Sequence, residues 1–303
     1  MSEAPSTAPV CYRHPSRETY LRCTRCDRPI CPDCMVEASV GHQCPECVSE
    51  GRKTQREARS AFGGSQAGLA GYATRTLIGI NVAVMVLSAI VGGAKAVAGS
   101  GGWFGLLGSS TAVTKWGEVL GYAPYTLGGE VHGVAAGEWW RLGTAMFLHY
   151  GVLHLLLNMM LLWQLGRYLE AQLGPIRFTA LYLLAGFGGN VAAYVFTPQN
   201  QPAAGASTAV FGLVAAMFVV NRRLKLDVTA LIPLLVVNLL FTFTISNISV
   251  AGHLGGLVAG AIVAAVLAYA PPARRTVVQT VGCSAFFLIL LAASVVRTVA
   301  LLA

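Results

Sequence analysis

Seven long apolar runs set the limits on what this chain can become. They lie near residues 76–98, 143–165, 177–197, 206–221, 228–245, 249–270 and 277–301. A helix needs about 20 such residues to cross the hydrocarbon core of a bilayer. In lipid every backbone N–H and C=O must be satisfied within the chain, so runs of this kind are expected to be helical. Hydrophobic residues make up 55 % of the 303 and charged residues only 11 %, roughly half the charged share of a soluble domain. Those figures rule out a disordered chain and argue against an ordinary soluble enzyme. Glycine inside the runs points to closely packed helices rather than isolated anchors. The expected fold class is an all-α polytopic membrane protein.

The net charge of +8 follows from orientation. With the N-terminus inside, the inner segments carry Arg52, Lys53, Arg56, Arg59, Arg75, Arg167, Arg177, Arg222, Arg223, Lys225, Arg274 and Arg275, whereas the outer ones carry Lys115, Arg141 and Arg297, with Lys95 inside the first run and left out of the count. Twelve against three is a clear positive-inside bias. The chain is therefore expected to be a multi-pass protein of the cell membrane with a cytoplasmic N-terminus. The outer loop near 99–142 holds Trp103, Trp116, Trp139 and Trp140 and is expected to sit partly in the interface. Asn247-Ile-Ser249 matches a glycosylation sequon but lies too near the membrane to be a good acceptor.

Seven of the eight cysteines fall between Cys11 and Cys47. They form four pairs, Cys11-x2-His14, Cys23-x2-Cys26, Cys31-x2-Cys34 and Cys44-x2-Cys47. Eight ligands are the number that two tetrahedral zinc sites need. Interleaving would place Cys11, His14, Cys31 and Cys34 on one ion and Cys23, Cys26, Cys44 and Cys47 on the other. His42 is an alternative to Cys44, which is preferred because it completes a fourth pair. No export signal is expected ahead of this head, since the first long apolar run starts near Thr76, and a cytoplasmic head would keep its thiols reduced. The head resembles a B-box-type zinc finger. Its arginines are interspersed with acids and no aromatic platform stands out, so a structural or protein-binding role is expected and nucleic acid is not. The expected domains are a zinc-binding head (1–50), a basic flexible linker (51–75) and a transmembrane domain (76–303).

Polar side chains at membrane depth are costly and mark function by default. Here His149, His154 and Asn158 fall on the second run, Ser207 at the start of the fourth and His253 near the start of the sixth. The assigned topology brings all three to the outer leaflet. His154 and Asn158, four apart, share a helix face. His253, Gly256 and Gly260 form one stripe, and Thr208, Gly212 and Ala216 form a comparable one below Ser207. Two small-residue stripes let backbones approach closely, as a hydrogen bond between Ser207 and His253 would require. A serine hydroxyl becomes a nucleophile when a base takes its proton.

No acid lies deep in the runs bearing Ser207 and His253, so a carboxylate-oriented triad and a membrane aspartyl protease are both argued against. No His is followed by Glu, which excludes the His-Glu-x-x-His of membrane zinc proteases. Gly205-Ala-Ser207-Thr-Ala lacks the second glycine of a nucleophile elbow. Singly, each residue has a plainer role; a serine in a membrane helix often bonds its own i−4 carbonyl. Their joint spacing outweighs those roles.

The segments Glu138-Trp-Trp-Arg141, His149-x4-His154-x3-Asn158, Gly205-Ala-Ser207 and Ala-Gly-His253-x2-Gly256-x3-Gly260 together resemble the rhomboid intramembrane serine proteases over residues of roughly 76–270. The resemblance implies a six-helix core, here followed by a seventh helix, and cleavage of transmembrane proteins within the bilayer from a site open to the outside. It implies Ser207 as nucleophile, His253 as general base, and His154 and Asn158 with the Ser207 N–H as oxyanion hole. Phe211 would pack against His253, and Trp140-Arg141 would be structural. His149 is read as a loop anchor. Two structural zinc ions, and none for catalysis, are the expected cofactors; membrane lipid and a protein partner of the head are the other expected contacts. Thr208 departs from the glycine that commonly follows the serine. A non-catalytic relative that binds transmembrane helices is the alternative reading. A transporter is argued against by the lack of a deep acid and of a clear repeat.

Overall fold

A computed structural model of the chain describes residues 8–54, 59–93, 96–97, 110–244 and 248–303. Trp103 and Asn247 lie outside them. The chain divides into two compact units, Met1–Ala58 and Arg59–Ala303.

In the first unit, strands β1 (Val36–Glu37) and β2 (His42–Gln43) pair antiparallel, with Val36 opposite Gln43 and Glu37 opposite His42. Helix α1 (Pro45–Thr54) follows. Ile30 is the one aliphatic side chain in a buried cluster otherwise made of Cys11, Cys23, Cys31, Cys34, Cys44 and Cys47. Apolar burial on this scale does not offset the ordering of about 50 residues, at roughly 1.5 kcal/mol each.

The second unit is helical: α2 (Tyr72–Gly92), the short α3 (Ala112–Gly117) and α4 (Arg141–Thr144), then α5 (Val152–Leu173), α6 (Pro175–Phe196), α7 (Ser207–Leu224), α8 (Leu231–Thr244), α9 (Val250–Tyr269) and α10 (Arg275–Leu302). A small hairpin, β3 (Ala123–Pro124) with β4 (Val131–His132), interrupts the loop between α3 and α4. The interior is filled from α5, α6, α7 and α9, with Leu162, Tyr182, Leu213 and Val263 fully buried. Helices α2, α6, α7, α9 and α10 are long and apolar enough to cross a membrane.

Two of the seven expected spans differ. The run 143–165 is not one helix, because the segment Arg141–Phe147 meets Val152–Leu173 at 90°. The break falls at Leu148–Gly151, where Leu148 is extended and Gly151 has φ +90°. Counting the bent pair as one span gives six. The run 228–245 yields an α8 of only 14 residues, about 21 Å long against a hydrocarbon core of about 30 Å.

The linker is the third correction. Its C-terminal part packs on α5: a Cβ on Gly64 would lie 2.2 Å from the carbonyl oxygen of Leu173, and one on Gly68 2.2 Å from that of Glu170. Small residues are here for close approach rather than for flexibility. Glu170, fully buried, then caps α2. Its carboxylate accepts from the Ala73 and Thr74 N–H groups at 2.9 and 2.8 Å and from the Thr74 hydroxyl at 2.7 Å. The first N–H groups of a helix lack intrahelical partners and carry its positive end, so a carboxylate there is doubly favoured. Glu170→Ala is expected to destabilise the unit by about 2–3 kcal/mol by orphaning those donors, read as a lowered thermal midpoint in detergent. An unchanged midpoint would refute the capping role.

Candidate active site

Ser207 is the first residue of α7, and the backbone delivering it is unusual. Gly205 has φ +146°. A Cβ there would meet His154 Cε1 and Nε2 at 2.9 and 3.0 Å and Ser207 Oγ at 3.2 Å. The imidazole edge of His154 and the hydroxyl of Ser207 therefore converge on the open side of Gly205. Two bonds hold the segment: Gly205 N–H donates to Ala145 O at 3.0 Å and Ala206 N–H to His149 Nε2 at 3.4 Å. His149, 3 % exposed, is thus tied to the residue before the serine.

His253 lies one turn into α9. Its Nε2 is 2.7 Å from Ser207 Oγ, a hydrogen bond between residues 46 apart in sequence. The ring of Phe211 stacks on it at 4.3 Å, 19° from parallel. On its other nitrogen, Nδ1 is 2.8 Å from the hydroxyl of Thr242 on α8. Thr242 was not singled out by sequence; the only signal was a hydroxyl inside the Phe-Thr-Phe-Thr stretch of an apolar run.

The approach of α7 and α9 follows the small-residue stripes. A Cβ on Gly256 would sit 2.0 Å from Thr208 O, and one on Gly260 2.2 Å from Gly212 O. Thr208 fits because Gly189 and Gly252 face it without side chains; added Cβ atoms there would meet its Cβ at 2.7 Å and its Cγ2 at 3.3 Å. We expect Gly256→Ala to cost about 2–3 kcal/mol of stability, since the obstructing atom is backbone and cannot rotate away. Detergent thermal unfolding checks this, and a midpoint equal to wild type would contradict the packing.

His154 and Asn158 stand on α5. The Tyr150 N–H donates to His154 Nδ1 at 3.3 Å, which leaves the imidazole proton on Nε2, the edge facing Gly205 and Ser207. Asn158 donates to His154 O at 2.9 Å and makes no hydrogen bond to Ser207 among the described residues. At the start of the short α4, buried Arg141 donates to Glu138 Oε2 at 2.7 Å and to the Lys115 and Glu118 carbonyls at 2.6 and 3.0 Å. Trp140 stacks on Trp116 and donates to its carbonyl. Burial opposes ionisation of Glu138, yet Arg141, the Gly133 N–H and His132 hold its carboxyl below the usual range. Burial pushes the Glu118 carboxyl up; that group accepts from Tyr150 OH at 2.6 Å.

In the head, the ligand atoms of Cys11, His14, Cys31 and Cys34 lie within 4.8 Å of one another, and so do those of Cys23, Cys26, Cys44 and Cys47. These are the interleaved groups expected from spacing. His42 belongs to neither. Thiolates and imidazole in fours at this separation suit a tetrahedral ion. Burial works against a Cys11 thiolate, but the backbone N–H groups of Arg13, Cys31 and His14 hold its thiol at about 6; burial and the neighbouring thiols push Cys34 to about 11.

The fold and this site define a polytopic helical membrane protein with a hydrogen-bonded serine and histidine at the abutting ends of two of its helices. A family model for the Rhomboid domain matches residues 136–270. The rhomboid protease GluP of Bacillus subtilis is 44 % identical over 139 residues, 44 % of this chain and 27 % of that protein. The putative rhomboid protease YdcA of the same organism is 41 % identical over 133 residues, 42 % of this chain and 67 % of that protein. The inactive RHOMBOID-like protein 8 of Arabidopsis thaliana is 40 % identical over 80 residues, 26 % of this chain and 22 % of that protein. The chain belongs to the rhomboid family.

Proposed function

We propose that the chain is an intramembrane serine endopeptidase that cleaves transmembrane proteins within the bilayer through a Ser207–His253 dyad. The 2.7 Å contact between Ser207 Oγ and His253 Nε2 is the observation that carries this reading. Nε2 accepts the hydroxyl proton as Oγ attacks the scissile carbonyl, and returns it to the leaving amine. His154 Nε2–H, the Asn158 amide and the Ser207 N–H would stabilise the oxyanion; one such donor is worth about 10²–10³ in rate. Asn158 would have to turn one N–H from its own helix toward the oxyanion. Phe211 and the glycines at 205, 256 and 260 hold the dyad in register, and Trp140 and Arg141 brace the outer loop.

The positive-inside charge supports a cell-membrane protein whose N-terminus would be cytoplasmic and whose dyad would open to the outside. Two structural zinc ions would hold the head, through Cys11, His14, Cys31 and Cys34 and through Cys23, Cys26, Cys44 and Cys47. Zinc takes no part in the chemistry. The head (1–50) is read as a module for a protein partner.

Mass spectrometry after treatment with a fluorophosphonate tests the dyad, since such probes modify activated serines. An adduct on Ser207 is expected. A folded protein that carries none would favour a non-catalytic rhomboid that binds transmembrane helices, a reading supported by Thr208 and by similarity to an inactive relative.

A further inference from the structure

We infer that Thr242 is a positioning residue that serves the dyad as an uncharged third member, setting the tautomer of His253. The inference rests on the proposed roles of Ser207 and His253. Thr242 is 2 % exposed and near the end of α8. Its Oγ1 makes two contacts of 2.8 Å, one with Asn238 O in the preceding turn and one with His253 Nδ1.

A threonine hydroxyl has one proton to give and lone pairs to receive with. The Asn238 carbonyl can only accept, so the Thr242 proton is committed to it. The contact with His253 must then be donated by the imidazole, Nδ1–H to Oγ1. A neutral imidazole protonated on Nδ1 carries its lone pair on Nε2, the atom facing Ser207 Oγ. Thr242 thereby selects the tautomer that can take the serine proton and excludes the one that cannot.

During the reaction the Ser207 proton moves to Nε2 as the Oγ–carbon bond forms. The imidazolium keeps its Nδ1–H bond to Thr242, and no proton passes to the threonine. When the scissile carbon–nitrogen bond breaks, Nε2 gives its proton to the amine. A carboxylate would perform the same orientation in water-accessible serine hydrolases, but a charge at membrane depth is expensive and a hydroxyl is far less so. His154 has the complementary arrangement, with the Tyr150 N–H on its Nδ1 and the proton on Nε2. The two histidines are held in opposite tautomers, one as acceptor and one as donor.

The test compares full-length wild type, Thr242→Val, Thr242→Ser and Ser207→Ala by the second-order rate of fluorophosphonate labelling. Valine keeps the shape of threonine and removes the acceptor; labelling is expected to fall about tenfold to a hundredfold, the effect of one buried unsatisfied donor. Serine restores the oxygen and is expected to stay within about threefold of wild type. A merely packing role would give the reverse order. Wild-type labelling of Thr242→Val beside an unlabelled Ser207→Ala would overturn the role of Thr242 and leave the dyad standing. Labelling of Ser207→Ala equal to wild type would remove the dyad itself. Nitrogen NMR of His253 in wild type needs no variant to fold: a proton on Nδ1 is expected, and a proton on Nε2 in the resting protein would overturn the inference.

Discussion

Ser207→Ala is expected to abolish cleavage of a co-expressed single-span membrane protein without changing expression. The side chain loses one oxygen at a half-buried position at the start of α7, so the fold has little reason to respond. The chemistry has every reason to: no atom remains to attack the carbonyl, and the His253 proton acceptor faces a methyl group. Losses of about 10⁴- to 10⁶-fold accompany removal of a nucleophile or its base in serine hydrolases. His253→Ala should match it, because a hydroxyl without its base is nearly inert. The double variant should be no worse than either single one, since both act in one step. Undiminished cleavage by Ser207→Ala would end the serine-protease reading. A double variant markedly worse than both would mean that the two residues do not act as a unit.

Metal removal is the second large effect, and it falls on a different part of the chain. The head buries one isoleucine among its cysteines, so its folding energy must come from elsewhere. Structural zinc supplies roughly 10 kcal/mol or more in modules of this kind, enough to decide between folded and unfolded. Two zinc ions per chain are expected by elemental analysis, and Cys31→Ser should lower that count toward one. Chelation should open residues 8–54 to limited proteolysis while the helical unit stays protected. Cleavage activity in detergent should survive, because both ligand groups found among the described residues lie in the head. Activity lost on chelation in a protein already lacking the head would contradict the assignment of metal to the head alone.

The two sites differ in how far they could be read ahead of the structure. The two Cys/His groups were legible because each pair is local: two donors three residues apart turn toward one point, and only the interleaving of pairs remained to be chosen. Ser207 and His253 were legible for another reason. In apolar runs polar residues are few, and glycine stripes beside them announce where backbones meet. Thr242 carried no such mark. Its contact joins residues 11 apart on two helices, and spacing along one helix says nothing about what the next helix offers. Glu170 is equally unmarked in the sequence, because the α2 N-terminus that it caps lies 96 residues away along the chain.

Hydropathy pattern and charge were enough to say that the chain is helical, crosses a membrane repeatedly and carries Cys/His groups that could hold metal, and the spacing of its few polar residues and glycines pointed to Ser207 and His253. These are properties of composition and local spacing, and solvent alone sorts them. Packing decided the rest: the 90° turn before α5, the short α8, the seating of residues 60–71 on α5, and the bond from His253 to Thr242. Each depends on whether two backbones can come within hydrogen-bonding reach. That distance is set by which side chains are missing from the opposing helix, which no single stretch of sequence contains.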